Sequence, residues 1–76
     1  MNIIAALSAL QSSGIENVKH SQGEVWSIDN LKDSIREAIA EKRLNETSDS
    51  GEWVVDGDGI EQLKDGYRNG NRYLAA

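Results

Sequence analysis

Apolar residues follow two different periods along this chain. Ile3, Ile4, Leu7 and Leu10 recur at i, i+1, i+4 and i+7, which is one face of a helix. Asn2 stands where a cap would start that helix, and Ser12-Ser13-Gly14 where a stop would end it. Its polar side offers only small residues and Gln11, so the rest of the fold or a second copy of the chain is expected to cover it on more than one side. Residues 15–27 lack helical period. There Val18, Val25 and Trp26 surround Ser21-Gln22-Gly23, which predicts two short strands joined in a hairpin.

The strongest periodicity comes next. Ile28, Leu31, Ile35, Ala38, Ile39 and Leu44 keep a 3.6-residue period behind Ser27, a good N-cap, and predict a central helix. Its charges suit the helix dipole, with Asp29 and Asp33 early and Lys42 and Arg43 late. Asn45 to Gly51 is a polar loop, Glu52-Trp53-Val54-Val55-Asp56 has strand composition, and Asp56-Gly57-Asp58-Gly59 turns the chain. Asp58 followed three residues later by Glu61 forms a capping-box pattern, and Ile60, Leu63 and Tyr67 continue at helical spacing. A third helix from about residue 59 to near Asn69 is the preferred reading. The alternative is a hairpin about Asn69-Gly70 within the near-palindrome from Tyr67 to Tyr73. The order is therefore helix, two strands, helix, strand, helix. It predicts one α+β domain over residues 1–76, with about three helices packed on a short antiparallel sheet of two or three strands.

Composition narrows this picture. A chain of 76 residues holds one domain, and 38% apolar residues with no Phe leave a small core and no material for a large cofactor cleft. The absence of Cys excludes disulfides and thiolate metal sites and agrees with a reducing compartment. The run from Ile3 to Leu10 is too short to span a bilayer and lacks the basic start and cleavage pattern of a signal peptide, so a soluble cytoplasmic protein is expected. On that expectation, the match of Asn45-Glu46-Thr47 to the glycosylation pattern is fortuitous.

Charge adds more. Thirteen acids and eight bases give a net charge of −5, which opposes direct nucleic-acid binding and favours a basic partner. The excess is local. Residues 44–63 hold Glu46, Asp49, Glu52, Asp56, Asp58 and Glu61 with no base, while the rest of the chain has seven acids and eight bases. On the central helix, Asp29, Asp33, Glu37 and Glu41 recur every four residues as an acidic ridge, flanked by Lys32 and Arg36. Like charges at that spacing destabilise a helix by a few tenths of a kcal/mol each, so helix stability does not explain the ridge. Either these acids are simply solvated, or ridge and segment together imitate a nucleic-acid backbone on a Lys/Arg-lined partner surface. Four charges over about 18 Å of helix compare with about five phosphates on one strand and about ten on a duplex, so single-strand or partial mimicry is the limit.

Catalytic material is sparse. His20 is the sole His, no Cys is present and no Ser lies in a nucleophile-elbow context, so no activity, cofactor or metal is expected. Asp56-Gly57-Asp58-Gly59 resembles part of a calcium loop, but in that register Val54 takes the first ligand position and Glu61 the aliphatic slot. Trp26 and Trp53 are each expected in the core, with Trp53 also a candidate anchor at an interface. Tyr67, Arg68, Arg72 and Tyr73 form the one aromatic–basic cluster, too small to hold nucleic acid against the overall charge.

The C-terminal Leu74-Ala75-Ala76 resembles the end of the tag that bacterial trans-translation appends to stalled chains; that implies a short-lived bacterial or phage protein if the tail is exposed. In general character, being small, acidic and Cys-free, the chain resembles the inhibitors that phages and mobile elements use against host defences, anti-CRISPR proteins among them. The resemblance is one of character and carries no motif. The expected function is a non-enzymatic inhibitor or regulator that blocks a basic, nucleic-acid-handling protein surface in a bacterial or phage-infected cell. Its expected contacts are Asp29, Asp33, Glu37, Glu41, Glu46, Asp49, Glu52, Trp53, Asp56, Asp58 and Glu61. The competing expectation is an assembly protein whose first and central helices form a homodimer face.

Overall fold

Asn2 opens the first helix, α1 (Ile3–Ser12), by accepting the Ala5 N–H on Oδ1 at 2.8 Å in a computed structural model. The structure describes residues 1–20, 23–41, 52–64 and 67–76, with the backbone alone at 64 and 67–70. Gly14 lets α1 end where it does. With φ at +92°, it donates its N–H to the Gln11 carbonyl at 2.9 Å, while Ile15 reaches back to the Leu10 carbonyl at 3.1 Å and packs on the core. Helix α2 (Ile28–Ala40) begins with Ser27 Oγ accepting the Asn30 N–H at 3.1 Å and ends at Glu41, its C-cap. Leu44, Lys42 and Arg43, expected on this helix, lie outside the described residues.

The hairpin expected over 15–27 is present as β1 (Asn17–His20) and β2 (Val25–Ser27), antiparallel with Val18 opposite Trp26. The expected strand is β3 (Glu52–Asp56), and the turn after it leads into β4 (Gly59–Lys64). The third helix does not form. Its residues are β4 and β5 (Tyr67–Ala75), paired antiparallel from Gly59↔Leu74 to Lys64↔Tyr67 with an irregularity near Glu61. The strand continues through Asn69-Gly70, so the alternative hairpin there is not formed either. The fold is thus α+β, with two helices and five strands among the described residues, the strands ordered β2-β1-β5-β4-β3 and every neighbouring pair antiparallel.

Position in the sheet decides this outcome. As a strand, Ile60 is almost fully buried against the helices, and β5 joins the β1–β2 hairpin to the β3–β4 hairpin. A helix over the same residues would leave β3 without a partner strand and β1–β2 as an isolated two-stranded ribbon, which is marginal in water. The core gathers Ile3, Ala6, Leu7 and Leu10 of α1 with Ile28, Leu31 and Ile35 of α2, over Val18, Trp53 and Ile60 of the sheet. No helix among the described residues is long and apolar enough to cross a membrane.

Candidate interaction surface

Helix α2 sorts its residues by side. Ile28, Leu31 and Ile35 face the core, while Asp29, Asp33, Glu37 and the C-cap Glu41 are exposed. Each four-residue step rotates the ridge about 40° around the axis, because four residues exceed one 3.6-residue turn. Asp29 therefore starts beside Lys32 and Arg36, and Glu37 and Glu41 finish on the side of α2 turned away from those two bases.

The two bases are directed toward α1 and along the helix. Gln11 of α1 accepts from Lys32 Nζ at 2.7 Å and donates from Nε2 to Asp29 Oδ1 at 2.7 Å, linking the helices. Arg36 approaches Asp33 at 3.6 Å, an exposed pair worth about 0–1 kcal/mol. It also lines the groove between the helices with Ile4 and Ile39.

The acids of the second expected group are dispersed. Glu46 and Asp49 lie outside the described residues. Glu52 accepts from the Met1 ammonium at 2.8 Å, and Asp56 and Asp58 are exposed at the β3–β4 turn. Glu61 is only 6% exposed and Trp53 4%, so neither is presented to a partner. Strand alternation places Trp53 on the helix-covered face, where its ring lies 5.9 Å from that of Tyr73 and its Nε1 meets no acceptor among the described residues. Trp26, at 37%, is the more exposed indole.

The ridge and the β3–β4 acids do not form one surface. Helix α2 packs on β2 and α1, whereas α1 lies on β3 and β4 at the other edge of the sheet. Four strand spacings, about 19 Å, separate those edges.

Two further sequence groupings are also divided. Arg72 and Tyr73 are neighbours on a strand and point to opposite faces, so the aromatic–basic cluster is not a unit. The C-terminal tail is hydrogen-bonded into the sheet, with the Ala75 N–H donating to Asp58 and the Ala76 N–H to Asn17, at 2.8 and 3.0 Å. The buried apolar residues of α1 and α2 meet each other and the sheet, while Ile4 and Ile39 remain partly exposed in the groove between the helices. Among the described residues no group of three or more His, Asp or Glu is placed to hold a metal ion.

Tyr73 has a perturbed titration. Burial pushes its hydroxyl above the ordinary 10.0, and the carboxylate of Glu24 pushes the same way. The folded state therefore holds this proton more tightly than the unfolded chain does. The resulting stability is fully present below about pH 10 and is lost as pH rises through the raised value. Chemical denaturation at pH 9 and pH 11 should show a loss at the higher pH that is smaller in Tyr73→Phe. An identical loss in both proteins would assign it to other groups.

Comparison with protein-family models, with curated proteins and with solved structures gave no significant match.

Proposed function

We propose that this chain is a non-enzymatic interaction protein whose α2 ridge docks on a basic, nucleic-acid-handling protein surface and blocks it in the cytoplasm of a bacterial or phage-infected cell. The observation that carries this reading is the run Asp29, Asp33, Glu37, Glu41 on the side of α2 opposite its core residues. Repulsion at i, i+4 works against the helix, so the acids serve something other than its stability. Their spacing approximates one phosphate strand, which suits a groove that takes single-stranded nucleic acid. The β3–β4 acids stand at the far edge and have no part in this contact.

The ridge can be neutralised without disturbing the core. In Asp33→Asn/Glu37→Gln/Glu41→Gln, removing like-charge repulsion should leave folding unchanged or raise it by a few tenths of a kcal/mol. A basic protein captured by the tagged chain from a bacterial lysate, then purified, should bind this variant about tenfold or more weakly at low salt. Its affinity for the wild type should fall steeply with ionic strength. Equal affinity for both proteins at low salt would overturn the reading.

A further inference from the structure

Register divides the sheet residues between two faces. Val18, Ile60, Trp53 and Tyr73 share the face that the helices cover. On the other face, Val25, Lys19, Leu74, Gly59 and Asp56 stand opposite one another in one row across all five strands. No described helix packs there. Val25 is 61% exposed and Leu74 45%, and Lys19 and Asp56 are exposed as well.

The charges on this row are polarised. Lys19 lies on β1 and Asp56 on the edge strand β3, with apolar Leu74 between them. Two residues along the strands on the same face, Arg72 on β5 stands opposite the almost fully buried Glu61 on β4, and Glu52 lies farther along β3. Gly59 has no side chain, and Leu74 leans over it, so this row is apolar at its middle, with Arg72 and Glu61 two residues along the same strands.

We infer that this open sheet face binds a second copy of the chain about a two-fold axis parallel to the strands, between β4 and β5. That axis lays β5 of each copy on β4 of the other and β1 on β3. Lys19 then faces the partner's Asp56, the reciprocal pair forms by symmetry, and the two Leu74 side chains meet at the axis. Sheets packed about 10 Å apart leave a gap that Lys and Asp side chains together span. The acidic face of α2, on the helix side, stays free.

The face is small. The four overlapping strands project about 400 Å² or less per copy, below the ~800 Å² of a standard interface, so the dimer is weak and salt-sensitive.

Sedimentation equilibrium over a concentration series, at low and high salt, tests the inference. At low salt the mass should move from monomer toward dimer as concentration approaches about 1 mM, the range for so small an interface. Lys19→Glu and Asp56→Lys should each weaken association about tenfold or more, because each brings like charges together twice per dimer. Mixing these two variants should restore wild-type association, since both contacts in the mixed dimer again join opposite charges. Circular dichroism checks that the variants fold, and Lys19→Gln with Asp56→Asn are milder substitutes if a reversal does not. A wild type that stays monomeric at about 1 mM and low salt, a dimer indifferent to these substitutions, or a mixture that fails to recover would each overturn the inference.

Discussion

Replacing Gly59 by alanine is expected to destabilise the protein by about 3 kcal/mol, the upper end for overpacking a filled site. A Cβ there would lie 2.5 Å from the Tyr73 carbonyl oxygen, 2.8 Å from Leu74 Cδ2 and 3.3 Å from Leu74 Cα. Leucine Cδ2 can rotate away, but a carbonyl and a Cα on the neighbouring strand move only if the strand moves. That strand is β5, hydrogen-bonded on both sides at the centre of the sheet, so displacing it strains both hairpins. A domain of this length has about 4–11 kcal/mol of stability to lose. Thermal melts should show the midpoint falling by about 12–24 °C. A variant within a few degrees of wild type would mean that β4 and β5 are not paired in this register.

Leu7→Ala should cost about 2–5 kcal/mol, the range for emptying a leucine-sized site in a core. Leu7 is fully buried on the face of α1 that meets the sheet, and among the described residues the core holds nine other buried apolar residues. With so few neighbours on each side, collapse into the gap is limited and the cavity term persists. Alanine's better helix propensity recovers only a few tenths of a kcal/mol. Urea unfolding should show a lower midpoint at unchanged slope. A loss below about 1 kcal/mol would place Leu7 outside the packed core.

The N-terminal half was legible because each local signal agreed with its neighbours. Asn2 and Ser27 both cap as their residue types suggest, and Gly14 ends α1 with a positive φ. The C-terminal half was ambiguous because Ile60, Leu63 and Tyr67 satisfy helical spacing while Asp58 and Glu61 mimic a capping box. The overlooked local signal was Asp65-Gly66. Read as a cost to a helix, Gly66 merely weakens it; as an Asp-Gly pair between two runs of equal type, it marks a hairpin. The decisive influence was nonlocal, since β5 gains its place from β1, some fifty residues earlier in the chain.

The same limit applied to the surface. Four-residue spacing exposed the α2 ridge in the sequence directly, because helical geometry is local. The base-free run from 44 to 63 looked like one face, yet strand alternation puts Trp53 under the helices and Glu61 on the opposite side of the sheet, where it is buried, and leaves Asp56 and Asp58 at the turn. Linear charge density measured proximity along the chain, and strand alternation broke it. The open sheet face was invisible for the converse reason: its row draws single residues from all five strands.

Titration of the isotopically labelled chain with a short oligo-arginine peptide, followed by amide chemical shifts at low and high salt, tests the proposed docking face most directly. The ridge reading predicts shifts concentrated at Asp33, Glu37 and Glu41 that disappear as salt screens the charges. Shifts centred on Glu52, Asp56 and Asp58, with α2 unperturbed, would contradict it.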